Sequence, residues 1–401
     1  MTLRPSTPGT PGTRPRPSIF AGGAAARAPR TSAPACAAIV ILVLGLLTAG
    51  ALAAADAPTH RFEELAPGVF FAAEAGPIMV MSNSLVIVNE NDVVVVDSHV
   101  SPAAARALIA SVATLTPKPI TTLINTHYHF DHAHGNQAFP AGVVIVGHEY
   151  TREKLAGDPL KERTYTFFSK LLADNAQAVA KQAAEAKDAA AKASLEAQAR
   201  VLANHVRDDR ETRAVPPSVT LSERMTLYRG GREIQLHFLG RGHTGGDVVV
   251  FLPEEKIVFT GDLLVQGPSY MGDAFVDEWI ATLDEVKKLD FEVIVPGHGV
   301  PFRDRAVIDH VQAYMRDAWD AVIELRASGV PALEAALRVD LTAHQKTLGP
   351  FVSPLLPSGI AAPGIEPNSV LRIYELLDER EGKVNGRSAF SVGPNSPRPR
   401  P

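Results

Sequence analysis

One short segment, with four histidines and an aspartate within eight residues, constrains this chain more than any other feature. It follows the apolar run Ile120–Asn125 and reads THYHFDHAHG, residues 126–135. Side chains alternate along an extended backbone, so His127, His129 and Asp131 point the same way. Densely packed imidazoles that lack partners would carry a desolvation cost. The segment therefore predicts a metal site, to which the next residue, His132, also contributes.

Three later segments each carry one further candidate ligand after a short run of strand-forming residues. They are GRGHTGGD at 240–247, TGD at 260–262 and PGHG at 296–299. The candidate ligands in them are His243, Asp262 and His298. The neighbouring glycines permit unusual backbone angles and close approach to each ligand. The order of these segments strengthens the prediction of a metal site.

The composition limits which residue types can bind a metal ion and which kind of molecule the chain is expected to bind. The 401 residues include 13 histidines but one cysteine, Cys36, so a metal must be held by imidazole and carboxylate groups. Such ligands suit zinc, and also iron or manganese. The chain is 46% hydrophobic and 21% charged, which predicts a globular fold with a substantial core. Because its net charge is −5, we expect no nucleic-acid partner. The expected partner is a small-molecule substrate, and the oligomeric state stays open.

The N-terminal residues 1–55 have the pattern of a signal peptide with an N-terminal extension. Residues 1–36 contain arginines and no acid, an apolar run begins at Ala37, and Ala53-Ala54-Ala55 precedes Asp56. This pattern predicts export to the periplasm or secretion, with cleavage before Asp56. The alternative is a membrane anchor at Ala37–Ala55, since that run is about as short as a span can be.

Strand and helix patterns alternate along residues 56–383, which we interpret as one domain. Paired β-branched runs with short turns between them predict hairpins at 84–97, 225–238 and 248–260. Helical spacing of apolar residues predicts helices at 102–115, 279–289, 303–326 and 369–381, the last capped by Asn368. Strand sets followed by helices indicate two stacked sheets between helical layers.

A long segment, Lys161–Arg213, contains neither glycine nor proline and is rich in alanine. It predicts one long helix or a helical hairpin within an insertion at about 152–213. Alanine buries little apolar area, so the middle of the segment cannot be a deep core element. The insertion is a structural addition or a lid beside the site. A helical region at about 303–383 and a disordered tail at 384–401 complete the expected organisation.

The pattern His127-x-His129-x-Asp131-His132, followed by His243, Asp262 and His298, resembles the metal motifs of the metallo-β-lactamase superfamily. The resemblance covers roughly residues 70–300. It implies an α/β fold, the four-layer αββα sandwich of that family, here with the long helical insertion.

The resemblance also implies how two metal ions are held. The first would be bound by His127, His129 and His243, and the second by Asp131, His132 and His298. Asp262 would bridge the two ions. Asp97 matches the early acidic motif of the family, which supports the metal-binding loop through hydrogen bonds.

The implied activity is that of a zinc-dependent hydrolase with two Zn²⁺. A metal-bound hydroxide would attack the carbonyl of a β-lactam, lactone or thioester, with Asp131 orienting it as a catalytic residue. Asp262 stands where some lactamases carry a cysteine, and this departure resembles glyoxalase II and lactonases. Tyr270 and Trp279 follow Asp262 closely and are expected to line the substrate pocket.

Two alternatives use the same residues differently. Persulfide dioxygenases of the superfamily bind one iron through the equivalents of His127, His243 and Asp262, which would make the chain an oxidoreductase. A glyoxalase II-like thioesterase would keep two metal ions and act on a thioester. A count of bound metal separates the first alternative from hydrolysis.

Overall fold

A computed structural model of the chain describes residues 59–268, 270–349 and 364–383. The expected signal peptide at 1–55, its alternative as an anchor, and the expected tail at 384–401 lie outside these residues. Within the described ranges, no helix combines the length and the apolar character needed to cross a membrane.

The first sheet contains seven strands in chain order. Its first four strands are antiparallel, and each later strand runs parallel to the strand before it. The strands are β1 (His60–Ala66), β2 (Val69–Glu74), β3 (Ser84–Val88), β4 (Val93–Val96), β5 (Ile120–Ile124), β6 (Val144–His148) and β7 (Val219–Leu221).

The second sheet contains five strands, also in chain order from one edge to the other. All neighbours are antiparallel except the last pair, which is parallel. The strands are β8 (Arg224–Arg229), β9 (Arg232–Phe238), β10 (Val248–Leu252), β11 (Ile257–Gly261) and β12 (Val293–Pro296).

The described residues form ten α-helices and four short 3₁₀ turns. The helices are α1 (Pro102–Leu115), α2 (Phe130–Ala133), α3 (Glu149–Ala156), α4 (Arg163–Glu185), α5 (Ala189–Asp208), α6 (Val276–Val286), α7 (Ala306–Ala327), α8 (Ala332–Arg338), α9 (Gln345–Leu348) and α10 (Pro367–Arg380). The turns are Asn136–Ala138, Pro159–Lys161, Asp209–Glu211 and Thr342–His344.

The fold has four layers, in the order helix, sheet, sheet, helix. An apolar cluster fills each of the three spaces between neighbouring layers. Val94 of β4 and Val250 of β10 belong to the cluster between the two sheets. Their neighbours Val95 and Phe251 face outwards, because side chains alternate along a strand. Val95 packs with α1, and Phe251 packs with α6, α7 and α10. Both faces of each sheet are therefore buried, and the fold is the expected αββα sandwich.

The alanine-rich segment is a helical hairpin. Helices α4 and α5 pack against each other and are joined by the short turn at residues 186–188. Val179 of α4 and Val201 of α5 are buried, whereas most of the alanines near the turn are exposed. Asp188 caps α5 by accepting a hydrogen bond from Ala191 N at 2.8 Å. The middle of the segment thus projects into solvent, away from the sandwich core.

The last helix begins earlier than its sequence pattern indicated. Pro367 occupies the first turn of α10, and the cap is Glu366, whose carboxylate accepts from Ser369 N. The expectation that Asn368 caps this helix is wrong. Proline fits the first helical turn because its missing N–H would have no partner there.

Candidate metal centre

The candidate ligands lie at one edge of the sandwich, where strands from both sheets end. Asp97 and His127 follow the parallel strands β4 and β5. Asp262 and His298 follow the parallel strands β11 and β12, and β9, which precedes His243, runs in the same direction. Parallel pairing places the carboxyl ends of such strands at a common edge. A hydrogen bond of 2.7 Å from Val248 N to Thr126 O joins the two sheets there.

Glycine permits the close packing at this edge at two positions. Gly261 has φ +53°, and a Cβ on it would lie 2.7 Å from Thr126 Oγ1. A Cβ on Gly297 would lie 2.1 Å from Asp262 Oδ1. Any larger residue at Gly297 would therefore displace the Asp262 carboxylate.

The fold brings all seven predicted ligands together. Their ligand atoms fall into three overlapping groups, within each of which the atoms lie within 4.8 Å of one another. The groups are His127 with His129 and His243, His127 with His132 and Asp262, and Asp131 with His132 and His298.

Asp262 faces both ends of this cluster. Its Oδ2 lies 3.1 Å from His298 Nε2 and 3.6 Å from His243 Nε2. At one end His129 Nδ1 lies 2.9 Å from His243 Nε2. At the other end His298 Nε2 lies 3.1 Å from Asp131 Oδ2. The carboxylate of Asp262 is thus placed between the two outer groups.

The donor set fits divalent metal ions. His127 Nε2 is buried and makes no hydrogen bond within the described part of the chain, and the buried atoms His132 Nε2 and Asp262 Oδ1 have no partner there beyond their mutual contact at 3.3 Å. A buried polar atom without a partner is costly and calls for an explanation. Imidazole nitrogen and carboxylate oxygen are common ligands of zinc and other divalent ions, which would satisfy all three atoms.

Each of the five imidazoles is held by its other nitrogen, on the side away from the cluster. Such contacts fix the tautomer and the ring orientation of a metal ligand. The pairs are His127 Nδ1 with Thr126 Oγ1 at 3.0 Å, His132 Nδ1 with Asp97 Oδ2 at 2.8 Å, His243 Nδ1 with Tyr270 O at 3.1 Å, His298 Nδ1 with Met81 O at 3.1 Å, and His129 Nε2 with Asp273 Oδ2 at 3.1 Å.

Asp97 supports the metal-binding loop from behind. Its carboxylate accepts hydrogen bonds of 2.8 Å from Thr126 N and Thr126 Oγ1, and it also accepts the bond from His132. The residue has φ +63°, a left-handed conformation that is uncommon outside glycine. This backbone angle turns the chain at the end of β4, so that the side chain reaches across to the end of β5.

The two ends of the cluster differ in charge. Burial and neighbouring imidazoles lower the pKa of His127 well below its usual value and that of His243 to about 3, so both rings are neutral. Burial alone would raise the pKa of Asp131, but His132 and His298 lower it to about 2. Burial alone would lower the pKa of His132, but the Asp262 and Asp131 carboxylates raise it well above its usual value. One end thus offers neutral imidazole lone pairs, and the other holds charged acid–imidazole pairs.

The two residues expected to line the substrate pocket lie beside the cluster. Trp279 has no exposed surface. Its ring packs edge-on against the His243 ring, with 5.6 Å between the ring centroids, and its Nε1 donates to Leu263 O. It therefore supports His243 from behind, and its burial does not fit a place on an open pocket wall. Tyr270 is partly exposed and packs on Phe168 of α4. The backbone oxygen of Tyr270 contacts His243 Nδ1, and no pattern of side chains in the sequence could have indicated that contact.

Sequence reasoning also missed Asp273, which contacts His129. Its side chain is 3% exposed, and it lies in the loop between β11 and α6. Burial alone would raise its pKa, but hydrogen bonds from His129 and Thr164 and the charge of Arg163 hold the pKa well below its usual range. No motif spacing links Asp273 to the histidine segment.

The fold and the site define a class of protein. The sequence profile of the metallo-beta-lactamase superfamily matches residues 78–298, more than half of the chain. The chain belongs to this superfamily, a superfamily of metal-dependent hydrolases.

Individual relatives are distant. The linear primary-alkylsulfatase of Pseudomonas sp. (strain ATCC 19151) is 23% identical over 285 residues, covering 65% of this chain and 50% of that enzyme. A metallo-beta-lactamase type 2 of Bacteroides fragilis is 24% identical over 241 residues, covering 58% and 75%. The solved structure of a metallo-beta-lactamase from Pontibacter korlensis is 19% identical with a TM-score of 0.47, covering 64% of this chain and 99% of that one. The chain spans about half the length of the alkylsulfatase.

Proposed function

We propose that this chain is a binuclear zinc-dependent hydrolase that acts on an ester-like or amide-like bond of a small molecule. The observation that carries the proposal is the placement of Asp262, whose Oδ2 faces His298 at 3.1 Å and His243 at 3.6 Å. One carboxylate between two outer groups of ligands suits two neighbouring ions better than one.

Side chains of the cluster have separate roles in this proposal. His127, His129 and His243 would hold one ion, and Asp131, His132 and His298 the other, with Asp262 between them. Two divalent ions bound here would supply Lewis acidity towards the scissile carbonyl and would make nearby water more acidic.

Asp131 orients the attacking water in this mechanism. Its pKa of about 2 means that the carboxylate is ionised at neutral pH and accepts hydrogen bonds. Asp131 therefore positions water through its carboxylate oxygens.

The substrate would reach the cluster beside His298. Its side chain is 38% exposed, compared with 13% for Asp262, 9% for Asp131 and 3% for His243. The opening beside His298 would admit the reacting carbonyl of a β-lactam, a lactone or a thioester. The alkylsulfatase among the relatives makes a sulfate ester a fourth substrate class to test.

The first experiment is a metal count on the purified full-length chain. We expect about two zinc ions per chain by elemental analysis, and loss of both after chelation. One iron per chain would support the oxidoreductase alternative, in which a persulfide is oxidised. No bound metal would contradict the proposal.

The second experiment tests activity with chromogenic β-lactam, lactone, thioester and sulfate ester substrates. His127→Ala and His243→Ala should lower metal content and turnover together, by about a hundredfold or more in rate. His310→Ala, which removes an imidazole from α7 outside the cluster, is the matched control and should change neither. Lost turnover with both metal ions still bound would argue against a ligand role.

A further inference from the structure

We infer that the root of the helical hairpin holds the ligand His129 in position. The hairpin root is defined here as Arg163 and Thr164, the first two residues of α4. It acts through Asp273, so Thr164 and Arg163 are positioning residues of the metal centre. The inference rests on the proposed function, because it requires His129 to bind a metal ion.

The carboxylate of Asp273 is the meeting point of three chain segments. Its Oδ2 lies 3.1 Å from His129 Nε2 and also accepts a hydrogen bond from the Thr164 hydroxyl. Its Oδ1 lies 3.6 Å from Arg163 Nη2. Asp273 and Thr164 are both almost completely buried. In such a place a hydrogen bond is strong, and a lost partner is costly.

The direction of the hydrogen bonds fixes which nitrogen of His129 faces the cluster. Thr164 has one hydroxyl proton and donates it to Asp273, so Tyr270 must donate its own proton to Thr164 Oγ1, at 2.9 Å. The carboxylate of Asp273, which already accepts the Thr164 proton, also accepts the Nε2–H of His129. This leaves His129 Nδ1 with a free lone pair, 2.9 Å from His243 Nε2.

Arg163 fixes the other side of the same loop. Its Nη2 donates to Gly272 O, and its Nη1 lies 2.7 Å from Glu375 Oε1 of α10. The loop is tied to α10 a second time, by a hydrogen bond of 3.0 Å from Met271 N to Ser369 Oγ. Asp273 is thus held between the insertion and the C-terminal helix, and the hairpin root is part of the support of the metal centre.

The test measures zinc dissociation constants of the full chain by competition with a chromogenic chelator. Thr164→Val removes the hydroxyl at nearly constant volume, and we expect it to weaken one of the two ions about tenfold; Asp273→Asn should weaken the same ion by 10- to 100-fold. Thr166→Val, an exposed position two residues further along α4, is the matched control and should bind like the wild type.

A rescue variant separates the hydrogen bond from packing. Thr164→Ser keeps the hydroxyl and should restore the affinity lost in Thr164→Val. The visible spectrum of the cobalt-substituted protein should change in Thr164→Val and return in Thr164→Ser. If Thr164→Val destabilises the fold, the Ser and Ala variants are compared instead, and Thr164→Ala should bind one ion about tenfold more weakly than Thr164→Ser.

Two outcomes would overturn the inference, and they are distinguishable. A wild-type chain that binds zinc, together with folded Thr164→Val or Thr164→Ala that binds both ions equally well, overturns the role of the hairpin root alone. A wild-type chain that binds no zinc overturns the proposed function and this inference with it.

Discussion

At the scale of single residues, Asp262 is the most informative position to change. Its carboxylate faces His132, His243 and His298, and the amide in Asp262→Asn carries no charge. We expect this variant to lose at least one ion per chain and to lose turnover by about a hundredfold or more. Elemental analysis and steady-state kinetics measure the two effects.

The matched control for this prediction is Asp290→Asn. Asp290 lies in the turn before β12, and its side chain is 85% exposed, so it is not part of the buried cluster. Asp290→Asn should leave the number of bound metal ions per chain and the turnover rate unaltered. If Asp262→Asn binds as many metal ions per chain as the wild type and has the same turnover rate, Asp262 is not part of the site.

Sequence reasoning predicted the residues of the cluster but only part of their support. The candidate ligands were recognisable because imidazole and carboxylate side chains recur at strand ends in a definite order. Asp97 was recognisable as the acid at the end of β4. The backbone oxygens of Met81 and Tyr270, which hold His298 and His243, were not, because every residue carries a carbonyl oxygen.

At the scale of elements, the cap of α10 makes part of the stability depend on pH. Glu366 is 3% exposed, and burial raises its pKa from 4.5 to about 7 although Ser369 and Asn368 donate to it. The folded form binds the proton more tightly, so the stabilisation is complete below about pH 4.5 and is lost as pH rises through 7.

Glu366→Gln tests this dependence, because glutamine can cap the helix without titrating. We expect the free energy of unfolding of the wild type, relative to this variant, to fall by roughly 2 to 3 kcal/mol between pH 4.5 and 8. Urea unfolding at both pH values gives the difference. Glu324→Gln, an exposed change on α7, should show no such trend. A constant difference for Glu366→Gln would contradict the burial argument.

The hairpin formed by α4 and α5 provides a second prediction at this scale. Thr164 at its root donates to Asp273, which in turn contacts His129, whereas the part around the turn at 186–188 is largely exposed. Replacing residues 176–199 with a short linker should leave zinc content intact and should raise KM more than it lowers kcat. A shortened chain that loses its metal ions would show that the distal part of the hairpin is scaffold.

Buried elements were easier to predict than edge elements. Strands β3, β4, β10 and β11 are mostly apolar runs rich in β-branched residues, because both of their faces are covered. Strand β1 was missed because its exposure does not alternate and its residues include three charged side chains and a histidine. Such a strand depends on pairing with β2 and has no pattern of its own.

At the scale of the whole molecule, the position of β1 bears on export. Cleavage before Asp56 would leave all of β1 in the mature chain, since that strand begins at His60. We expect mature protein in the extracytoplasmic fraction to begin at or near Asp56 by N-terminal sequencing. Replacing Ala53 and Ala55 with leucine should block cleavage, because the site requires small residues. An intact N-terminus in the cytosol would contradict export.

The convergence of strands from both sheets on one cluster has a consequence for folding. His129 and His243 are 114 residues apart in the chain, and His298 and Asp131 come from opposite sheets. Ions that bind both ends of such long loops act as removable cross-links. The single cysteine lies ahead of the predicted cleavage site, so in an exported and cleaved chain these ions would take the place that disulfides occupy in many exported proteins. Zinc supply would then govern how long the folded chain survives, as well as its turnover.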